Sequence, residues 1–313
     1  MNQIGINIKK RRYELRMSQQ ELANALGYKT RSSIAKIESG ENSITIKKLE
    51  EFARILDIST EALVSGEQHP FERNLDTQGK NTSKAIAIIL AGGKSTRNQQ
   101  NIPSQFINIL GKPVIIYTME AYQNHPAVTD IYVVCLSGWE DILLSYANQF
   151  NISKLRHIIT GGKTGILSVK NAVEYLNEFA SDSDIVIFQE STRPLISEEM
   201  ISNLLNAVKE NESAVMCDSM KDRLQFMSFD TSTKYVDRNR LVEVQSPEAY
   251  RFGTIKTAFT EAQKKNSAFD ETCCALFMYN NNYKLRFITG SHYNMKLIRQ
   301  EDISLVTALL KTR

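Results

Sequence analysis

The residues with the plainest chemical potential lie in the segment Leu90-Ala91-Gly92-Gly93-Lys94-Ser95-Thr96-Arg97. Small side chains at 91–93 let backbone N–H groups approach an anion, and Arg97 after them can grip phosphate oxygens in pairs. That is phosphate-binding chemistry. A glycine-rich loop of this kind serves many ligands, so it names a chemical class and not a reaction. Metal–thiolate chemistry is not in the pattern: the four cysteines, Cys135, Cys217, Cys273 and Cys274, form no C-x-x-C pair and no metal-ligand spacing. They read as buried free thiols suited to a reducing cytoplasm.

A phosphate loop needs elements to hold it. From Lys84 short apolar runs alternate with helical stretches; the runs are Ile86–Leu90, Ile131–Cys135, His157–Thr160, Ile185–Phe188, Ala214–Cys217 and Leu285–Ile288. Pro113–Gln123, Trp139–Phe150, Ile166–Phe179 and Glu198–Lys209 carry helical spacing between them. The alternation predicts an α/β domain with a doubly wound, mostly parallel, Rossmann-like sheet covered on both faces. Ligands of such sheets lie beyond the carboxyl ends of strands, where the 91–97 loop falls.

The 313 residues suffice for two cores, and the amino-terminal part has a different period. Ile4, Ile8 and Leu15 fall at helical offsets, with the basic cluster Lys9–Arg12 expected on the opposite face. Ser18-Gln19-Gln20-Glu21 is a capping box that starts a second helix, which stops at Gly27. A third helix is expected over Thr30–Glu38, ended by Gly40, with Ile34 and Ile37 inward. A fourth places Leu49, Phe52, Ala53 and Leu56 on one face, and a fifth begins at Ser59 and buries Leu63. Five short helices with a tight turn between the second and third predict a helix-turn-helix domain over 1–66. Residues 67–84 read as a linker and 85–313 as the second domain. The net charge of +3 is too small to argue for nucleic acid by itself. No apolar run is long enough to span a bilayer, and the basic start is not followed by the apolar stretch of a signal peptide.

The stretch MSQQELANALGYKTRSSIAKIESGENSITIKKLEEFARILDIS resembles the Xre family of the lambda-repressor and Cro type, over residues 4–64. Its turn Gly27–Thr30 is one residue longer than in lambda repressor. The resemblance implies a third helix in the major groove of double-stranded DNA, with Thr30, Arg31, Ser32, Ser33 and Lys36 toward base edges. Arg31 is the residue expected to read guanine, because its planar fork donates to O6 and N7 together, and Gln19 is expected at a phosphate. Binding of a protein partner is the alternative for this face.

The second domain resembles the cytidylyltransferases that act on methylerythritol phosphate and ribitol phosphate, from about Ala85 to the C-terminus. The segments are LAGGKSTR, PSQF, GKPVIIYTMEAY, GGKTGILSV, QESTRP, DRNRL, QSPEAYR, FDE and NMKLIRQEDI, in that order. By position the resemblance implies that Ala91, Gly92, Gly93, Gly162 and Ser168 hold the nucleotide and that Arg97 and Lys296 meet its phosphates. By the same resemblance Glu190 and Asp270 stand where carboxylates hold Mg²⁺, and Arg193 and Asp222 would face the sugar-alcohol phosphate or its surroundings. Four places depart from the family pattern: Ser95 replaces a loop glycine, Ser104 the lysine of P-K-Q-[FY], Gly165 the arginine of G-G-x-x-R, and Gln189-Glu190-Ser191-Thr192 the H-D-A-A run. The expectation is a homodimeric, cytoplasmic transcriptional regulator that senses a cytidine nucleotide or a CDP-linked sugar alcohol, paired through an arm near Leu224–Val244. The alternatives are a bifunctional enzyme that still transfers CMP from CTP, and a protein-docking module on an inert scaffold. Ser104 with Ser95 discriminates the regulator from the enzyme.

Overall fold

The computed structural model describes residues 3–15, 17–56, 58, 60–65, 83–94, 102–219, 225–229, 232–265 and 267–312. The chain forms two compact units, Met1–Thr82 with Gly138–Gln149, and Ser83–Ser137 with Phe150–Arg313. Of the expected linker, 67–84, all but Ser83 and Lys84 lie outside the described residues.

The first unit carries α1 (Gln3–Glu14), α2 (Gln19–Ala25), α3 (Arg31–Ser39), α4 (Ile46–Ile55) and α5 (Thr60–Ser65). Ser18 and Glu21 make the capping box reciprocally, with Glu21 N on Ser18 Oγ at 3.2 Å and Ser18 N on Glu21 Oε2 at 2.7 Å. Gly27 (φ +74°) follows α2 and Gly40 (φ +82°) ends α3, both in the left-handed region that glycine tolerates. Ile8, Leu22, Ile34, Phe52, Leu56 and Leu63 are fully buried in one cluster. Gly5 is needed for closeness: a Cβ there would stand 2.3 Å from the Ile37 carbonyl oxygen, so α1 crosses α3 backbone to backbone.

One expectation fails here. Arg12 is not on an outward basic face with its neighbours; it is fully buried. Its Nε and Nη2 donate to the two carboxylate oxygens of Glu38 at 2.7 and 3.1 Å, and its Nη1 to the Met17 carbonyl at 2.7 Å. Burial alone would lower the guanidinium's proton affinity, but Glu38 outweighs it through hydrogen bonds and charge and holds Arg12 protonated. The fork matches two acceptors and a carbonyl at once, which lysine cannot do.

The second unit is built on β1 (Ala85–Ala91), β2 (Asn108–Ile109), β3 (Lys112–Pro113), α6 (Val114–Asn124), β4 (Val128–Cys135), β5 (Leu155–Thr160), α8 (Gly165–Leu176) and β6 (Ile185–Glu190). The helix α7 (Glu140–Gln149) groups with the first unit. There follow α9 (Glu198–Asn211), β7 (Ser213–Ser219), β8 (Gln225–Phe229), β9 (Ser232–Val236), β10 (Val242–Arg251), α10 (Phe252–Lys264), α11 (Cys274–Asn280), β11 (Phe287–Thr289) and α12 (Gln300–Leu310). Seven strands pair in the order β11-β7-β10-β6-β1-β4-β5. All run parallel except β10, which is antiparallel to both β6 and β7. Ile86 and Ile88 of β1 face a core shared with α8, α10 and α11, while α6 lies on β1 and β4 and α9 on β7 and β10.

The mostly parallel sheet matches the sequence pattern, but the long strand β10 was not among the apolar runs. Val242, Glu243 and Val244 are exposed, the register shifts between Gln245 and Glu248, and Glu248 is buried, so no alternation survives along it. The expected Leu285–Ile288 run contributes only Phe287–Thr289. No helix among the described residues is long and apolar enough to cross a membrane.

Glu38→Ala leaves the buried Arg12 with only Asp141 Oδ1 at 3.2 Å and the Met17 carbonyl, its Nε and Nη2 unmet, and should destabilise the first unit by up to roughly 3–5 kcal/mol. Hydrogen exchange at α3 amides in the full chain reads this directly; unchanged protection would show the pair to be dispensable.

Candidate functional sites

On α3 the side chains of Arg31, Ser32 and Lys36 are exposed, Ser33 is half-buried, and Ile34 and Ile37 turn inward. Thr30 is the N-cap residue and exposed, and its hydroxyl lies 2.7 Å from that of Ser32. Four of these five residues are exposed, and Ser33 lies at the margin of the buried side. Gln19, at the start of α2, is placed otherwise: its amide nitrogen donates to Glu38 Oε2 at 2.8 Å, tying it to the Arg12–Glu38 pair.

In the second unit the expected nucleotide residues meet at the carboxyl ends of β1 and β5. Ala91 ends β1 buried, and its carbonyl accepts from Leu136 N at 3.1 Å and from Gln105 Nε2 at 2.8 Å. The same Gln105 nitrogen reaches the Gly93 carbonyl at 3.0 Å, so the buried 3-10 turn Ser104–Phe106 pins the glycine loop. Gly92 and Gly161 touch: a Cβ on Gly161 would lie 2.9 Å from the Cys135 carbonyl oxygen and 3.2 Å from Gly92 Cα. A Cβ on Gly162 would meet Leu167 at 2.7 Å. Ser168, in the first turn of α8, accepts from Gly162 N at 3.0 Å and donates to the Thr164 carbonyl at 3.0 Å. Gly93 stands at the open edge, with nothing within 4 Å of a Cβ built there. Small residues are thus required first by the packing of two strand ends and second by any ligand. Arg97 and Ser95, expected on this loop, and Asp222, expected near the acceptor, lie outside the described residues.

A charged group completes the edge at the end of β6. Arg193 Nε donates to Glu190 Oε2 at 2.7 Å, and Lys296 Nζ is bonded to Glu190 Oε1. Arg193 is only 8% exposed and its Nη1 donates to the Asn294 carbonyl at 2.6 Å. Burial would raise the Glu190 carboxyl, but the charges and hydrogen bonds of Lys296 and Arg193 overcome it and hold it below the usual carboxylate range. Glu190 N and Gln189 Nε2 both donate to Ser246 Oγ, at 3.1 and 3.2 Å, and Tyr122 donates to Gln189 Oε1 at 2.8 Å. Asn294 Nδ2 closes the set on the Ser246 carbonyl at 2.7 Å. Asp270 is exposed on the segment leading to α11.

Residues 85–312 match the family profile of 2-C-methyl-D-erythritol 4-phosphate cytidylyltransferase, and residues 8–63 match a helix-turn-helix family. The chain belongs to the cytidylyltransferase family, with a helix-turn-helix domain ahead of it. A ribitol-5-phosphate cytidylyltransferase of Lacticaseibacillus paracasei is 34% identical over 229 residues, covering 72% of this chain and 98% of that protein. A 2-C-methyl-D-erythritol 4-phosphate cytidylyltransferase of Lachnoclostridium phytofermentans is 28% identical over 236 residues, covering 73% and 97%. The solved 4-diphosphocytidyl-2C-methyl-D-erythritol synthase of Anaerococcus prevotii shares the fold, with a TM-score of 0.63 at 22% identity over 73% of this chain and 96% of that one.

Within this cytidylyltransferase domain, motif reading passed over Gln105, Ser246, Asn294 and Glu248. Each lies in a family-like segment, but an amide or hydroxyl there gave no sign of which backbone group it would meet. Glu248, on β10 opposite Phe188, accepts from Tyr250 Oη at 2.7 Å and from the backbone N–H groups of Cys274 and Ala275 at the start of α11. Burial pushes its carboxyl up to about 7; the Glu190 charge adds to this, and the Tyr250 and backbone donors oppose it.

A carboxyl raised in this way keeps its proton in the folded chain while the unfolded chain has lost it. Stability should therefore fall as pH rises from the ordinary carboxylate range to about 7, then level off. Glu248→Gln should remove that fall, so that variant and wild type diverge by at most about 3 kcal/mol across the window. Urea denaturation of the full chain at stepped pH measures it; parallel profiles would refute it.

Proposed function

We propose that the chain is a DNA-binding transcriptional regulator whose cytidylyltransferase domain binds a cytidine nucleotide or a CDP-linked sugar alcohol as its signal. The observation that carries this reading is the replacement of phosphate-facing cations beside a helix-turn-helix domain. Ser104, where the family has lysine, is 2% exposed inside its turn, and Gly165, where the family has arginine, opens α8 with no side chain. In cytidylyl transfer a phosphate oxygen of the acceptor attacks the α-phosphate of CTP and pyrophosphate leaves. The protein's part is positioning and neutralisation of developing charge, and each lost donor costs roughly 2.7–4 kcal/mol of barrier. A site short of two such cations binds better than it reacts.

The retained groups support binding. Ala91, Gly92, Gly93, Gly162 and Ser168 offer the nucleotide cradle, and Arg193 and Lys296 offer cations to phosphate. A divalent cation would arrive with the nucleotide, and Glu190 and Asp270 are the carboxylates available to it, Glu190 only once its oxygens part from Arg193 and Lys296. Among the described residues no group of three ligating side chains forms a resident cage. Mg²⁺ in phosphate sites is commonly held that way, by one or two carboxylates plus the phosphates. When bound, it would supply neutralisation of phosphate charge.

A homodimer suits the DNA half, because paired heads read two half-sites about one helical turn apart. The β8–β9 hairpin and the start of β10 carry exposed Tyr235, Val242 and Val244, apolar surface of the kind a partner copy covers. A cytoplasmic location follows from the DNA-binding role. The second reading, a bifunctional enzyme transferring CMP to a sugar-alcohol phosphate, is favoured by the activity named for the relative at 34% identity.

Two measurements test these readings. With CTP, Mg²⁺ and either ribitol 5-phosphate or methylerythritol 4-phosphate, purified protein should release little or no pyrophosphate. Turnover at roughly 1 s⁻¹ or faster, within the ordinary enzyme range, would replace the regulator by the enzyme. On a pseudo-palindromic duplex selected by the full chain, Arg31→Ala should lose about 1–3 kcal/mol at one base position and relax specificity there. Equal affinity for all selected sequences would remove Arg31 from base readout.

A further inference from the structure

Two cations converge on one carboxylate at the end of β6, with Arg193 Nε on Glu190 Oε2 at 2.7 Å and Lys296 Nζ on Oε1. Glu190 pairs in register with Leu90, one residue before Ala91 and the glycine loop. β4 and β5 lie on one side of β1 and β6 on the other, so this edge is where the strand order reverses and where such sheets take their ligands. A carboxylate presents the same two-oxygen, negatively charged edge as a phosphate, and arginine and lysine donors serve both. Glu190 therefore fills, from within the chain, the place that a ligand phosphate would occupy.

We propose that Glu190 is a built-in competitor for an anion seat formed by Arg193 Nε and Lys296 Nζ, so that a phosphoryl group enters only by displacing the Glu190 carboxylate. The proposal rests on the reading of this edge as a nucleotide site, but not on which base the nucleotide carries. Arg193 does not need Glu190 to keep its place, because its Nη1 is anchored on the Asn294 carbonyl at 2.6 Å. Lys296 has a side chain 40% exposed and is able to turn to an incoming anion. A tethered carboxylate competes at an effective concentration of the order of mM or above. Weakly charged anions are thereby kept out, and polyphosphates, with more charge and more oxygens, are selected.

The test uses the full chain in chelator-treated, metal-free buffer with inorganic pyrophosphate as probe, read by titration calorimetry. Glu190→Gln should bind pyrophosphate about tenfold tighter than wild type, and adding Lys296→Met should abolish the gain. Glu190→Ser, which removes the reach altogether, should show the same gain and covers the case in which the glutamine variant fails to fold. Pyrophosphate affinity unchanged or weakened in the folded variants would overturn the proposal, as would a gain that survives Lys296→Met. The cytidine reading fails separately: if CTP binds no tighter than ATP to wild type, the nucleoside assignment is wrong while the pyrophosphate result still decides the role of Glu190.

Discussion

A guanidinium that has left water needs acceptors from the protein, and Arg193 shows what that demand organises. Its Nε is met by Glu190 at the end of β6 and its Nη1 by the Asn294 carbonyl, from a segment about a hundred residues further along the chain. Asn294 in turn is held to the Ser246 carbonyl of β10, and Ser246 Oγ accepts from Glu190 N. The carboxyl end of β6, the middle of the antiparallel β10 and the segment carrying Lys296 are thus fixed by one chain of bonds whose removal would strand a buried charge. That closure gives this edge of the sheet a defined shape.

The first unit meets the same demand differently. Arg12 and Glu38 are buried together, and Gln19, the Met17 carbonyl and Asp141 Oδ1 meet them further. This pair clamps α1, the start of α2 and the end of α3, while Arg31, Ser32 and Lys36 stay outward. A pair so enclosed serves orientation of the helices, with no access for a ligand. The Glu190 cluster keeps Lys296 partly in solvent and so remains open to exchange. The difference between a structural and an exchangeable ion pair here is one of exposure, not of residue type.

The glycine loop carries a related lesson about residue economy. Gly92 and Gly161 are small because two strand ends touch, and Gly162 N already has a partner in Ser168 Oγ. Gln105 adds two bonds to loop carbonyls from a turn that also buries Ser104. The described part of the glycine loop is therefore held by its own neighbours before any ligand arrives. The same turn carries the buried Ser104, so the contacts to the loop come from the amide of Gln105 and need no cation there.

By itself the sequence determined what depends on local periodicity and on order along the chain. The five helices of the first unit, the capping box at Ser18, the parallel strands from Ala85 and the order of the family-like segments were all legible there, because each is set by neighbours a few residues apart. Tertiary structure alone decided which polar groups find partners. Arg12 looked like one more outward cation, yet is buried on Glu38. β10 hid behind a broken alternation, because its exposed start and its buried Glu248 obey contacts with β6, β7 and α11 instead of a pleat facing one core. Glu190 read as a metal carboxylate by position, and only the fold shows both its oxygens committed to cations, one of them Lys296 over a hundred residues away. Hydrogen bonds and ion pairs are satisfied in space, and residue type reports the capacity for a bond without naming the partner.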